Sequence, residues 1–281
     1  MLKMTSKQFK ETIELDPAWA AGLTEPVEIT DYCEMAGSII THLSPHLHFL
    51  GRTDEGASAD FSDCPNIRKA EGTFSGFVDF GGSGVRKIGK LIITAPTNDG
   101  IAASFDDCEY LEVAEGNFPG CVIFSNSSIE QIGELNISAP DNNGAAAFFS
   151  NCKNLRVAEG TFAGFVDFSN SNVEKIGDLR ITAPDKDGYA AFFNKCINLK
   201  IAEGTFPGLV NFDGAGITAA GNLTITNTNG QGHKANFTNC DLRLPNEFLG
   251  SEYLMDKAIR QKNLARIAAS KALKASPEIE I

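Results

Sequence analysis

The sequence predicts a mainly β protein that folds as a single β-solenoid, in which short strands stack turn upon turn. A gap-free repeat of 44 residues covers 64–239 in four full copies. Each copy contains two similar halves, so the unit averages about 22 residues, the length of one solenoid coil. Within each half, apolar and polar residues alternate as in a strand with one buried face. We therefore expect about ten coils of about 22 residues in 44-residue doublets, with short helical caps at both ends.

Residues 1–25 are predicted to form an N-terminal helical cap. Thr5 and Gln8 have the spacing of a capping box, and Phe9 and Ile13 would share one face of the helix that follows. A cap is needed because the terminal coil of a solenoid exposes apolar surface and unpaired backbone groups.

Residues 26–250 are predicted to form the repeat solenoid itself. In one strand of a coil, Val166 and Phe168 would point inward while Asp167 points outward. Residues 179–181 would form a second short strand on another wall. Phenylalanine dominates the apolar positions because its ring can stack in columns and carries no polar group that needs a partner.

A small residue recurs at one interior position of every coil. Superposing the two halves gives the alternating column Cys64, Ser83, Cys108, Ser127, Cys152, Ser171, Cys196, Ala215 and Cys240. Cysteines of this column lie two coils apart, about 9–10 Å at the usual strand spacing, which is beyond the reach of a disulfide. We therefore expect buried, reduced thiols in the column. Cys33 and Cys121 lie outside it and are candidates for exposure.

Glycines recur at four positions of each copy. We expect them at the corners of the coils, where the chain needs a positive φ. The four sets are Gly72, Gly116, Gly160 and Gly204; Gly76, Gly120, Gly164 and Gly208; Gly89, Gly133, Gly177 and Gly221; and Gly100, Gly144, Gly188 and Gly232.

Residues 251–281 are predicted to be a C-terminal helix and tail. The helix would cover 251–274, with one face formed by Leu254, Ala258, Ala265, Ala268 and Ala272. This segment carries six Lys and Arg against four Asp and Glu, whereas the whole chain has a net charge of −12. A basic cap docked on an acidic solenoid is one interpretation, and a helix that binds a partner or a membrane surface is the other.

Two motifs of the repeat, AxFxxCxxL and VxxIG, identify a family resemblance. They are carried by Ala191, Phe193, Cys196 and Leu199 in one half and by Val173, Ile176 and Gly177 in the other. The pattern resembles the bacterial leucine-rich repeats of the BspA-like, or treponemal, type over roughly 35–245. This chain departs from that family in its unequal halves and in the inserted string AEGTFxG. The resemblance implies a solenoid that acts as a non-enzymatic interaction scaffold.

Composition and charge exclude several classes of function. The chain is 42% apolar and 21% charged, which is typical of a folded protein. Its net charge of −12 would repel phosphate groups, so we expect no nucleic-acid partner. No apolar run is long enough for a membrane span. The N-terminal segment lacks the apolar stretch of a signal peptide, so we expect a cytoplasmic protein, with export by another route left open.

The residues considered as catalytic or metal-binding candidates support no catalytic site, cofactor or metal. A row of glutamates recurs in the AEG strings at Glu71, Glu115, Glu159 and Glu203. Equivalent glutamates do not supply the two different pKa values that a glycosidase pair needs. His46 and His48 are too few for a zinc site, and the loop with Asp185 and Asp187 lacks the downstream glutamate of an EF-hand, which favours a plain turn.

The outward positions of the strands with the patterns VxF and AxF are the most informative for function. A solvent-facing wall has little need for aromatic side chains, and apolar patches with polar rims mark interaction surfaces. The candidate partner-binding residues are Phe77, Asp79, Ile123, Phe148, Phe165, Asp167, Phe192 and Leu209. We therefore predict a scaffold that binds an unknown protein, or a glycan, through this face. The alternatives are a carbohydrate-active β-helix enzyme that uses the repeat carboxylates, and a structural module that assembles end to end.

Overall fold

The protein is mainly β, with its strands stacked in parallel sheets. The computed structural model describes residues 1–241 and 248–275, and the side chains of these residues up to Ala268. In chain order the strands are β1 (Leu2–Met4), β2 (Val27–Ile29), β3 (Cys33–Glu34), β4 (Leu47–Phe49), β5 (Ala57–Asp60), β6 (Lys69–Phe74), β7 (Phe77–Asp79), β8 (Lys87–Ile93), β9 (Ile101–Ser104), β10 (Val113–Phe118), β11 (Cys121–Ile123), β12 (Gln131–Ile137), β13 (Ala145–Phe148), β14 (Val157–Phe162), β15 (Phe165–Asp167), β16 (Lys175–Ile181), β17 (Tyr189–Phe192), β18 (Ile201–Phe206), β19 (Leu209–Asn211), β20 (Ala219–Ile225), β21 (Ala235–Asn236) and β22 (Tyr253–Leu254). The helices are α1 (Ser6–Leu15) and α2 (Lys257–Ala275), with a 3-10 turn at Trp19–Gly22.

The strands form two walls, and the chain alternates between them from β2 to β21. Wall 1 consists of three parallel sheets with the orders β1-β2-β4-β6-β8, β10-β12-β14-β16 and β18-β20. Wall 2 is one parallel sheet with the order β3-β5-β7-β9-β11-β13-β15-β17-β19-β21-β22. Parallel neighbours that are separated by one strand of the other wall are compatible with the predicted β-solenoid.

The core between the walls contains a continuous column of phenylalanine rings. Ring centroids of successive members are 5.0–5.7 Å apart and ring planes lie within 13° of parallel. The members are Phe61, Phe80, Phe105, Phe124, Phe149, Phe168, Phe193, Phe212 and Phe237. Each follows a wall 2 strand directly, as the inward and outward alternation predicts.

The column of alternating cysteine and serine is also buried, and its polar atoms find partners in the backbone. The Cys152 thiol donates to the carbonyl oxygen of Phe124 at 3.2 Å, and the Ser171 hydroxyl donates to that of Phe149 at 2.6 Å. Both small side chains therefore fit against the backbone of the preceding coil. All seven cysteines are free and buried. Cys33 and Cys121, the candidates for exposure, are therefore not exposed, since both side chains are fully buried.

The string AEGTF is a strand and not a corner, which corrects the sequence interpretation. In β14, Gly160 has a φ of +110°, yet it pairs with Leu179 of β16 across a register shift. The shift is a β-bulge that places two residues of β16 opposite Glu159. Glycine is required at this point by the bulge, and the true corner is the two-residue turn that contains Gly164.

The two ends of the chain carry helices, as predicted. At the N-terminus the capping box of Thr5 and Gln8 forms, and Phe9 and Ile13 are buried. At the C-terminus α2 begins at Lys257, and Leu254 lies in β22, so the predicted helix start at 251 is wrong. The short β22 extends wall 2 by pairing with β21, which takes Leu254 out of the helix.

The predicted alanine face of α2 is also wrong in its described part. Ala258, Ala265 and Ala268 are exposed, whereas Asn263 is buried and Ile259 packs against the core. Larger apolar side chains remove more surface from water than alanine does, so they define the docked face. The predicted closing segment at 242–247 and the tail at 276–281 lie outside the described residues.

Candidate partner-binding face

The outward residues at the ends of the wall 2 strands form a single row, which we call the outer row. Backbone pairing aligns its members on successive strands. In spatial order they are Asp60, Asp79, Ser104, Ile123, Phe148, Asp167, Phe192, Asn211 and Asn236. Five of the eight predicted site residues therefore lie in this row.

Most polar side chains of the outer row accept a hydrogen bond from the backbone at the end of their own strand. The Asp79 Oδ1 accepts the backbone N–H of Gly81 at 2.7 Å, and the Asn211 Oδ1 accepts that of Asp213 at 3.0 Å. This side-chain turn satisfies a backbone donor where the strand ends. The side chains of Ile123, Phe148 and Phe192 have no hydrogen-bond acceptor, so these residues cannot form this side-chain turn. Departures from a local rule of this kind are expected at functional positions.

Apolar residues at the start of the same strands form a second row on this face. It contains the other three predicted site residues, and they differ in exposure. Phe77 is partly exposed, whereas Phe165 and Leu209 are only 5% and 1% exposed. Phe165 and Leu209 therefore do not meet the expectation of exposed contact residues. Neighbouring side chains on the same face cover Phe165, because its ring packs edge-to-face on Phe148 and Phe192.

Four aromatic rings meet on the outer face of β13, β15 and β17, and we call them the aromatic patch. The ring centroids of Phe148 and Phe165 are 6.5 Å apart, those of Phe165 and Phe192 are 4.8 Å apart, and those of Phe192 and Tyr189 are 5.0 Å apart. All three contacts are edge-to-face. Phe148, Phe192 and Tyr189 each remain partly exposed. Phe165 is therefore the buried base of a patch whose outer rings stay accessible.

Tyr189 was missed by the sequence reasoning. It pairs with Leu209 at the start of the next wall 2 strand, so its side chain belongs to the second row. The signal lay in the repeat, because Tyr189 occupies the position that holds Ile101 and Ala145 in earlier copies. An aromatic ring beside Phe192 enlarges the patch toward a polar depression of about 450 Å³, which Asp185, Lys186 and Asn229 also line.

Asp167 lies inside the aromatic patch. Its backbone pairs with Phe148 on one side and Phe192 on the other, and Phe165 precedes it by two residues on the same face. The Oδ1 atom accepts the backbone N–H of Ser169 at 2.7 Å and also the Ser169 hydroxyl. Burial raises the pKa of the Asp167 carboxyl, and the two hydrogen bonds from Ser169 oppose that rise.

The remaining predicted site residues lie further along the stack. Ile123 is the neighbour of Phe148 in the outer row, while Phe77 and Asp79 lie on β7, beyond β9 and β11. Burial also raises the pKa of Asp79, and the negative charge of Asp60 adds to the effect. The structure therefore brings Phe148, Phe165, Asp167 and Phe192 together and leaves an acidic end of the row apart.

The repeated glutamates lie on wall 1, away from this face. Glu159 lies over Gly177 of the next wall 1 strand, so that a Cβ added to Gly177 would be 3.4 Å from the Cβ of Glu159. Glu71 differs from the others, because it is buried and pairs with Lys69 at 2.6 Å. Glu159 lines a shallow depression of about 390 Å³ together with Glu134 and Asp178, whereas Glu71 lines a different one beside Lys69 and Lys87.

The acidic loops between the walls use their side chains to hold turns. The Asp185 Oδ1 accepts the backbone N–H groups of Asp187 and Tyr189 at 2.9 and 2.8 Å, and Asp141 makes the corresponding pair of bonds. Within the described residues no group of three or more His, Cys, Asp or Glu side chains is arranged to hold a metal ion.

Comparison with known proteins assigns the chain to no family. No protein-family model, curated protein or solved structure matches the chain. Neither described helix is long and apolar enough to cross a membrane.

Proposed function

We propose that this protein is a non-enzymatic repeat scaffold that binds a protein partner through the aromatic patch on wall 2. The aromatic patch carries the proposal. Three partly exposed rings, Phe148, Phe192 and Tyr189, surround a buried Phe165, with polar loops at the edge. Aromatic clusters with a polar rim are characteristic of the energetic centre of protein interfaces.

The repeat supplies a second argument. At the outer row the chain uses Asp or Asn to cap the end of the strand, yet Phe148 and Phe192 replace that cap with an exposed ring. Burial within the fold gives no reason for the replacement, because the next residue of each strand already supplies the inward phenylalanine. A surface selected for contact with another molecule explains both substitutions.

The finer description of the architecture belongs to the same proposal. It comprises about ten coils of about 22 residues, of the BspA-like leucine-rich-repeat class, with the divisions 1–25, 26–250 and 251–281. Stacked coils hold the outer row at a fixed spacing, which preorganises the patch and lowers the entropic cost of binding.

The test compares three forms of the full chain as bait in native lysate, with quantitative mass spectrometry of the captured proteins. The first is the wild type, and the second is the double variant Phe148→Asn with Phe192→Asn. The asparagines restore the local cap that Asn211 makes, so the variant should keep the fold. The third is a matched control, Ile92→Ser with Ile201→Ser, which removes two exposed apolar side chains from wall 1.

A protein partner that is captured by the wild type and the wall 1 control, and lost from the patch variant, supports the proposal. Circular dichroism and thermal unfolding establish that all three baits are folded. A set of captured proteins that is the same for the wild type and the patch variant overturns the proposal, because the patch would then make no contact. Loss of the partner from both variants also overturns it, because the contact would not be specific to wall 2.

A further inference from the structure

The position of Asp167 deepens the proposed function by indicating which kind of partner the patch accepts. Three aromatic residues flank Asp167 on this face: Phe148 and Phe192 on the paired strands and Phe165 on its own strand. No other acidic member of the outer row has aromatic neighbours on both flanking strands. Asp79, for example, lies between Asp60 and Ser104.

The carboxylate of Asp167 has no cationic partner within the part of the chain that the structure describes. Its hydrogen bonds all reach Oδ1 and come from Ser169. A partly buried carboxylate without a counter-charge is costly, since the low dielectric of the rings disfavours the charged form. The raised pKa of Asp167 is the expected consequence and agrees with this geometry.

We propose that the aromatic patch receives an arginine side chain of the partner, with its guanidinium against the Asp167 carboxylate and beside the rings of Phe148 and Phe192. This inference rests on the proposed function. A guanidinium offers planar donors to a carboxylate and stacks on aromatic faces, and it is less strongly hydrated than an ammonium. The rings supply a cation–π contribution that strengthens as water is excluded.

The acidic net charge of the chain points to a basic segment as the source of that arginine. Beside Tyr189, the polar depression is lined by Asp185 and Asp187 and by one base, Lys186. The positions that follow Phe149, Phe168 and Phe193 on the patch strands carry a single charge, that of Lys195. The whole chain has a net charge of −12. A basic partner would be attracted to the acidic chain at long range, and Asp167 would supply the counter-charge among the rings of the patch.

The test uses two short probes that differ in charge and hardly in shape. One is the blocked pentapeptide Gly-Gly-Arg-Gly-Gly, and the other has citrulline in place of arginine. Each is titrated into the full-length, isotope-labelled protein and followed by the amide resonances of Ser169, Tyr189 and Asn194. For the wild type we expect the arginine peptide to bind at least tenfold more tightly than the citrulline peptide, and we expect added salt to weaken it.

Two variants separate Asp167 from a general charge effect. Asp167→Asn keeps an oxygen for the Ser169 N–H, as Asn236 does for Thr238 at 3.0 Å, and should abolish the preference for arginine. Asp79→Asn removes an equal charge from the same row and should leave the preference within twofold. Equal binding of both peptides to the wild type overturns the inference, as does an equal loss in the two variants.

The outcome for this inference is distinguishable from that for the proposed function. If Asp167→Asn retains a partner that the Phe148→Asn and Phe192→Asn variant loses, the patch binds a protein but the arginine assignment is wrong. If neither form changes the captured proteins, the proposed function itself is wrong.

Discussion

Phe148 and Phe149 are neighbours in the chain, yet they lie on opposite faces of the same wall. The ring of Phe149 is fully buried and stacks between Phe124 at 5.0 Å and Phe168 at 5.3 Å. The ring of Phe148 is partly exposed and makes an edge-to-face contact with Phe165. Of these two neighbours, Phe149 belongs to the core and Phe148 belongs to the outer surface.

Truncating these two rings should have very different effects on stability. Phe149→Ala removes a member of the stacked column and leaves a cavity, which should lower the free energy of unfolding by about 3–5 kcal/mol. Phe148→Ala loses one edge contact and little buried area, so a loss of about 1 kcal/mol is expected. Urea unfolding of both variants measures the difference. Equal losses would contradict the division of this wall into an inner and an outer face.

The buried cysteines should be unreactive in the native protein. Burial raises the pKa of Cys64, Cys108, Cys152 and Cys196 to about 12, so their thiolate fraction at neutral pH is very small. We expect no cysteine to be labelled by iodoacetamide in the native state and all seven to be labelled in denaturant. Intact-mass spectrometry counts the labels.

The variant Ser251→Cys supplies the control for reactivity, because Ser251 is exposed. It should take up one label in the native state at the rate of a free thiol. Native labelling of any of the original cysteines at a comparable rate would show that the interior column is accessible to solvent.

Gly164 should tolerate no side chain, because a Cβ atom there would clash with the backbone of a neighbouring loop. A Cβ at this position would lie 2.3 Å from the carbonyl oxygen of Gly144, an atom of the backbone that cannot move aside. The two-residue turn between β14 and β15 presses against the loop before β13. We expect Gly164→Ala to lower the free energy of unfolding by about 1–3 kcal/mol, as overpacking does.

Gly22 is the matched control, since a Cβ there meets no atom within 4 Å. Gly22→Ala should change the free energy of unfolding by less than about 0.5 kcal/mol. Comparable effects of the two substitutions would show that the close approach at Gly164 does not determine the turn.

The sequence predicted the repeat, the inward and outward alternation around Asp167 and the interior column, because each follows from spacing along the chain. It misplaced AEGTF, since a glycine with positive φ suggests a corner and only strand pairing shows that Gly160 lies at a bulge. It also predicted exposure for Phe165. Alternation defines the face of a strand, but the rings of Phe148 and Phe192 that cover Phe165 come from residues distant in the chain. Tyr189 was missed for a different reason: its position holds Ile101 and Ala145 in earlier copies, so the 44-residue pattern marks no aromatic residue there.

The pH dependence of stability should change when the Asp167 carboxyl is removed. Its pKa in the folded protein lies above the ordinary value of 3.8, because burial disfavours the charged form. The folded state therefore holds this proton more tightly than the unfolded state. The stabilisation from the bound proton is fully present below about pH 3.8, and it is lost as the pH rises through the folded pKa.

Asp167→Asn should remove this loss, so the free energy of unfolding of the variant should rise relative to the wild type as the pH increases above about 4. The reverse change, Asn211→Asp, places a carboxyl beside Phe192 in the same row and should add a loss of the same sign. Chemical denaturation at several pH values, read as the difference between each variant and the wild type, measures both effects. A difference that stays constant with pH for Asp167→Asn would mean that the rings do not desolvate the carboxylate. Burial of the charged Asp167 carboxylate would then cost no free energy, and a cation bound at the aromatic patch would have no such cost to offset.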